Sequence, residues 1–281
     1  MPEGHTLHRL ATSLTDAFAG ARLRVGSPQG RFEVEARQLD RSTLLAAESA
    51  GKHLFLDFEA DRVVHIHLGL IGGFDVWTDV TEVPAPVGQV RLRLVRGGDR
   101  PAYADLRGAT QCALITSARR DEIVATLGPD PLRPDADPDR AWARISRSPR
   151  AIGDLLMDQK VMAGVGNVYR AEVLFRHKIH PLRPGRTLRV GQWRAIWADL
   201  VELMAEGVRT GRIDTVRPEH TPEAMGRPPR VDDHGGEVYV YRRTGQPCLV
   251  CGHTVRTDVL VGRNVFWCPH CQRAFRSRAL Q

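Results

Sequence analysis

No stretch of these 281 residues reaches the ~18 consecutive apolar residues that a membrane-spanning helix needs, although hydrophobic residues make up 42% of the chain. The opening Met1-Pro2-Glu3-Gly4 has no apolar core of the secretory kind, so a cytoplasmic protein is expected. Cysteine is scarce. Of five, four cluster near the C-terminus and Cys112 stands alone. In a reducing compartment that grouping points to a metal site rather than to disulfides. Acidic residues are outnumbered, 33 against 40 basic ones, and the resulting +7 is carried mainly by arginine. Such a balance fits a polyanionic partner without demanding one. The length allows two packed units and a small appendage.

Leu7, Leu10, Ala11, Leu14 and Phe18 recur on one helical face from Glu3 onward, and Gly20 follows as a stop. Residues 21–115 read as sheet. Leu54, Leu56 and Phe58 alternate with polar neighbours, Glu59-Ala60-Asp61 turns the chain, and Val64, Ile66 and Leu68 return; Val90, Leu92 and Leu94 alternate later. Short strands with turns between them suggest a β-sandwich. His53, His65 and His67 lie in these strands with no cysteine or acidic cluster beside them. They are read as satisfied histidines rather than metal ligands. The run Gly128-Pro129-Asp130-Pro131-Leu132-Arg133-Pro134-Asp135 cannot sustain helix or central strand, and Pro138 extends this linker. Helices are expected over 141–145, 152–157, 165–175 and 190–204. Residues 209–236 show no periodicity and read as a long loop, and 238–243 alternate like a strand.

Two motifs carry chemistry. In Leu155-Leu156-Met157 through Phe175, the corner Gly164-Val165-Gly166-Asn167 separates two apolar helical segments and places Asn167 at a helix N-cap. Such a helix start can grip an anion, a DNA phosphate above all. The alternative is a plain helical hairpin whose glycines only permit close packing. Cys248-x2-Cys251 and Cys268-x2-Cys271 form two knuckles separated by sixteen residues. Four thiolates in such pairs make a closed tetrahedral zinc site, with an iron–sulfur or redox centre as the alternative. Between Gly245 and Gln281 five arginines face one aspartate.

From end to end the chain resembles the formamidopyrimidine-DNA glycosylase/endonuclease VIII family, whose members are bifunctional DNA repair enzymes with a helix–two-turn–helix. The resemblance implies an α+β protein in four parts: an N-terminal β-sandwich domain flanked by helices (1–128), a linker (129–140), a helical domain (141–236) and a zinc-finger β-hairpin (237–281). It implies removal of Met1, Pro2 as a secondary-amine nucleophile, Glu3 as its acid and Lys52 on a β-hairpin beside the lesion phosphate. Leu70 and Ile71 correspond to the loop that fills the void of a flipped nucleotide. Gln159, Lys160, Asn167 and Arg263 would contact the backbone of damaged DNA lying between the two larger domains. Cys248, Cys251, Cys268 and Cys271 would hold one structural Zn2+, with no catalytic metal. A monomer associated with the nucleoid is expected.

Two departures stand out. Thr6 replaces the family's second glutamate, leaving His5 as the nearest candidate to order the amine. Asp105-Leu106-Arg107-Gly108-Ala109 lacks the phenylalanine of purine-directed relatives. The resemblance therefore implies excision of oxidised pyrimidines with β,δ-elimination. A purine-directed enzyme of the same family and a non-catalytic binder of damaged DNA are the competing readings.

Overall fold

A computed structural model describes residues 2–232 and 236–275. Met1, the 233–235 part of the long loop and the last six residues of the finger segment, 276–281, lie outside the described residues. The chain divides into two units, Met1–Thr126 and Leu127–Gln281.

The first unit opens with helix α1 (Gly4–Phe18), on which Leu7, Ala11, Leu14 and Phe18 are buried. Glu3 precedes the helix as its N-cap rather than beginning it. Strand β1 (Arg22–Gly26), helix α2 (Glu33–Leu39) and strands β2 (Ser42–Ala50), β3 (His53–Phe58), β4 (Arg62–His67), β5 (Gly73–Trp77), β6 (Val90–Arg96), β7 (Ala102–Arg107) and β8 (Gln111–Ile115) follow, then helix α3 (Ser117–Ala125). Helix α2 interrupts the stretch expected to be all sheet; Phe32, Ala36 and Leu39 bury one side of it at helical spacing. The strands run β5-β7-β6-β1-β2-β3-β4-β8, all pairs antiparallel. Strand β1 is the seam of the sandwich: Arg22 and Leu23 pair with β2, whereas Arg24, Val25 and Gly26 pair with β6. Both halves and α1 supply one core, with Leu23, Leu44, Leu56, Ile66, Leu94 and Leu106 fully buried.

The second unit is mainly helical: α4 (Pro138–Ile145), α5 (Ile152–Leu155), α6 (Asn167–Arg176), α7 (Val190–Thr210) and α8 (Pro222–Met225), then a hairpin of β9 (Arg256–Leu260) and β10 (Arg263–Trp267). Pro138 opens α4 at its first turn, where a missing N–H costs nothing, instead of extending the linker. Helix α7 continues past the expected Met204 to Thr210 and ends at Gly211 with φ +74°. Its Trp193, Ile196, Leu200 and Met204 join Tyr169, Val173 and Val240 in one core.

Residues 238–243 do not form the expected strand. The amides of Tyr239, Val240 and Tyr241 donate to the buried carboxylate of Glu172 at 2.6, 2.9 and 2.8 Å. Thr215 adds its hydroxyl at 2.7 Å. A side chain takes the bonds that a neighbouring strand would otherwise supply.

Candidate active site and nucleic-acid interface

Pro2 sits at the start of α1, on the wall of a cavity of about 460 Å3 shared with Thr6, Arg9, Leu68, Asp75 and Trp77. Glu3 follows it, fully buried, its carbonyl accepting from the Thr6 amide at 2.9 Å. A carboxylate here lies at the positive end of the helix dipole. His5 is also buried, its Nε2 lying 3.3 Å from the Thr6 hydroxyl. Burial pushes this imidazole down to about 4, so the ring is neutral near pH 7.

Lys52 occupies a two-residue turn joining β2 to β3, with Ala50 paired to His53 across it. Gly51, at φ +59°, supplies the left-handed position that such a tight turn requires. Behind it lies a run of histidines. The Gln111 side-chain amide lies 3.0 Å from His65 Nδ1, and His65 Nε2 lies 2.8 Å from His53 Nδ1. With the amide donating, the protons sit on Nε2 of both rings. Burial, reinforced by neighbouring imidazoles, pushes His53 and His65 down to about 4. His67 accepts the Gly69 amide on Nδ1 at 3.1 Å, so its proton also lies on Nε2. Burial first, then the Lys52 charge, lowers its pKa. These rings are tied to one another and to the sheet, as expected of satisfied histidines. Metal-capable groupings among the described residues do not include them.

The Leu68–Gly72 loop projects the void-filling candidates outward: Leu70 is 61% and Ile71 89% exposed. The loop closes through the Gly72 amide on Leu68 O at 3.1 Å. A Cβ on Gly72 would lie 2.2 Å from Leu68 O, so only glycine fits this return. Leu68 and Gly72 also line the Pro2 cavity, so the two ends of this loop and the chain terminus share one surface.

In the second unit the N-cap of α6 is Gly166, and Asn167 is the first helical residue rather than the cap. Its side chain instead donates to Asn264 O at 3.1 Å and accepts from Arg170. Arg170, itself buried, also donates to Asn264 O at 2.8 Å. The corner before α6 is therefore bound to the hairpin strand next to Arg263. Gln159 braces the same corner from within: its amide donates to Met157 O and Val165 O at 3.1 and 3.0 Å, and its oxygen accepts from Gly164 N. Lys160 is exposed. Arg263 is exposed too, as the first residue of β10 rather than on the turn, which consists of Val261 (φ +49°) and Gly262 (φ +70°).

The four cysteines converge as their spacing requires. All four Sγ atoms lie within 4.8 Å of one another; Cys248–Cys271 is 4.0 Å and Cys251–Cys268 3.4 Å. A tetrahedron of thiolates around zinc at ~2.3 Å has edges of roughly 3.8 Å, so the set fits a structural Zn2+. Cys248 and Cys268 are buried, and no ligand position is left open for a substrate. Gln272 ties the second knuckle to the helices: its oxygen accepts from Cys268 N at 3.0 Å and its amide donates to Ile179 O at 2.9 Å.

Glu172, Arg170 and Gln272 were invisible as site-forming residues in the sequence. Each reads as an ordinary polar residue, and only the approach of a distant backbone gives it a task.

Family comparisons agree with this division of parts. The formamidopyrimidine-DNA glycosylase N-terminal domain matches residues 1–112, the H2TH domain of the same enzymes 127–218, and the zinc finger found in FPG and IleRS 245–274. The chain belongs to the formamidopyrimidine-DNA glycosylase/endonuclease VIII family. It is 53% identical over 274 residues to a protein of Mycobacterium tuberculosis named Endonuclease 8 1, covering 97% of this chain and 100% of that one. It is 31% identical over 293 residues to the formamidopyrimidine-DNA glycosylase of Thermomicrobium roseum, covering 97% and 98%. Among solved structures, Lactococcus lactis Fpg in complex with abasic-site DNA superposes with a TM-score of 0.78 at 23% identity, covering 97% and 100%. That likeness describes the fold.

Proposed function

We propose that the protein is a bifunctional DNA glycosylase and AP lyase that removes oxidised bases, chiefly pyrimidines, and cuts the strand by β,δ-elimination. The observation that carries this reading is Pro2 on the wall of a 460 Å3 cavity, with the fully buried Glu3 directly behind it at a helix start. Once Met1 is removed, Pro2 is a secondary amine whose pKa, ~8 for an α-amino group, leaves a useful neutral fraction near pH 7. Its nitrogen lone pair attacks C1′ of a flipped nucleotide, and the glycosidic electron pair leaves with the base, which takes up a proton. Glu3 takes the proton that the attacking amine sheds and delivers it to the sugar oxygen as the ring opens, leaving an iminium. Loss of a C2′ proton then expels the 3′ phosphate, and a second elimination expels the 5′ phosphate.

Lys52, Lys160 and Arg263 contact backbone phosphates in this reading, and Asn167 does so through the second amide N–H that its bond to Asn264 O leaves. Gln159 contributes through the shape of its corner, since its amide is already engaged there. Leu70 and Ile71 fill the vacated base position, which their exposure supports. The working parts are residues 1–128 for chemistry, 129–140 as linker, 141–236 for backbone grip and 237–281 for the zinc-held hairpin. The absence of a phenylalanine after Asp105-Leu106-Arg107 and the name of the mycobacterial relative both favour pyrimidine lesions. The enzyme acts as a cytoplasmic monomer on nucleoid DNA.

Borohydride trapping tests the chemistry, because only an imine becomes covalently fixed to DNA. Absence of a trapped adduct on an abasic site would leave a non-catalytic binder. Parallel excision from dihydrouracil, thymine glycol and 8-oxoguanine duplexes tests the lesion class, and preference for 8-oxoguanine would overturn it.

A further inference from the structure

The zinc knuckles carry two histidines that the four-thiolate site does not use. His253 lies two residues after Cys251, and His270 stands between Cys268 and Cys271. Both are exposed, and their rings stack across the two knuckles with centroids 4.3 Å apart and planes 13° apart. Ligand atoms of His253, His270 and Cys251 all lie within 4.8 Å of one another. We propose that Cys251, His253 and His270 form a second, solvent-facing site for a divalent transition metal such as Zn2+, with the Cys251 thiolate bridging it to the zinc of the four-cysteine set.

Two observations and one chemical consideration support the assignment. Cys251 Sγ serves both groupings, so the second site borrows a ligand already fixed by the first. His253 Nδ1 lies 3.3 Å from Cys251 O, and a carbonyl can only accept. The imidazole therefore carries its proton on Nδ1 and keeps the Nε2 lone pair for a metal, in the arrangement by which a backbone carbonyl commonly orients a ligating histidine. Lastly, zinc held by four thiolates leaves a local charge of about −2 in the site, which attracts a second cation to its open side. A metal at ~2.0–2.3 Å from each ligand needs ligand–ligand separations of roughly 3.3–3.8 Å. The gap to 4.8 Å is at most about 1–1.5 Å, within the reach of two exposed rings turning about their side-chain bonds. Two imidazoles and one thiolate suit zinc, cobalt or copper and do not suit magnesium or calcium.

The test uses the full chain already loaded with one zinc. Equilibrium dialysis against Zn2+ should show a second equivalent bound, and His253→Ala/His270→Ala should stop at one while keeping the first zinc and its folded-state circular dichroism. Co2+ offered to the zinc-loaded chain should give a thiolate-to-cobalt charge-transfer band in the near ultraviolet, absent from the double variant. A wild-type chain that stops at one equivalent overturns the proposal. So does a second equivalent bound without that band, or a band of equal strength in the double variant, since either places the added metal elsewhere.

Discussion

The two units meet the same requirement, pairing buried backbone groups, with different emphasis. In the first, eight strands pair with one another over an apolar cluster, and buried polar groups such as the Arg93–Asp105 pair and His65 sit within or beside the sheet. In the second, buried connecting chain has no strand to pair with, so charged side chains take over. Glu172 receives three consecutive amides, Arg170 donates to Gly153 O and Asn264 O, and Arg243 donates to Tyr239 O and Pro247 O. Asp199, nearly buried, is held by both Arg176 and His177. Where a ladder exists, the sheet tolerates exchange of side chains of like volume. Where side chains stand in for the ladder, one substitution unpairs several groups together.

The sharpest way to break this contrast concerns chemistry, which the proposed mechanism assigns to the first unit alone. A chain that keeps Met1 converts the Pro2 amine into an amide with no basic lone pair. Base excision and borohydride trapping should fall by more than about 10³-fold, or ~4 kcal/mol in barrier, while affinity for lesion DNA changes little. Intact mass and single-turnover rates check this, and full activity with Met1 retained would refute it.

Next in size is the metal. Cys268→Ser should abolish stoichiometric zinc and weaken DNA binding through Arg263, since such sites contribute roughly 10 kcal/mol or more of apparent binding energy to local folding. Trapping on an abasic site at saturating DNA should persist. Zinc content, binding isotherms and adduct yield, measured together, decide it.

Glu172→Ala tests the side-chain substitute for a ladder. Leaving three buried amides without an acceptor should cost the second unit roughly 3–5 kcal/mol. Hydrogen exchange at 239–241 should accelerate while β3 and β4 stay protected. Equal loosening of both units would erase the distinction drawn here.

Acid offers a milder separation. His5, His53 and His65 titrate near 4 when folded, against 6.5 for a free imidazole, so the unfolded first unit binds more protons between those values. Its stability is fully present above about pH 6.5 and declines as pH falls toward 4. In the second unit burial alone would raise Asp199, but hydrogen bonds from His177 and Arg176 outweigh it and hold the carboxyl below its ordinary 3.8. Glu237 is likewise lowered from 4.5, where hydrogen bonds from Arg230 and Arg227 outweigh burial. Those contributions are present above the ordinary carboxylate range and are lost only as pH falls through the lower folded values. His180 in the second unit is also lowered by burial, but the first unit has three histidines pushed down to about 4. Peptide-resolved exchange between pH 7 and 3 should therefore loosen the first unit more than the second.

The smallest effect lies at the hairpin turn. Val261 is β-branched yet holds φ +49°. Val261→Asn should stabilise the hairpin by about 1 kcal/mol, because asparagine followed by glycine is the preferred pair for such turns. Denaturant melts of the zinc-loaded chain would register the gain.

Legibility in the sequence followed local pattern rather than this divide. Strands β3, β4 and β6 and helices α1 and α7 announce themselves through alternation or helical spacing, and the cysteines through their intervals. Helix α2 escaped notice because its seven residues offer barely two turns of pattern. Residues 238–241 alternate like a strand, yet the partner that captures their amides is a carboxylate some seventy residues earlier in the chain, as in Val240 with Glu172. Asn167 was legible as a helix-start residue, but its bond to Asn264 joins residues 97 apart and leaves no local trace. The roles proposed for Pro2 and Glu3 rest on family resemblance, since a start of Met-Pro-Glu is common and singles out no chemistry by pattern alone.

The attachments around α6 amount to a ruler with three pins. At its start Asn167 and Arg170 hold Asn264; in its middle Glu172 holds residues 239–241; just beyond its end Ile179 O receives Gln272. Only the outer two pins grip the hairpin and knuckles that zinc organises. Metal loss should therefore fray the chain from about Cys248 onward and stop at the middle pin, leaving a docked stub that can recapture zinc without refolding the helices. Damage to the finger should then be a reversible, local event rather than the loss of the unit.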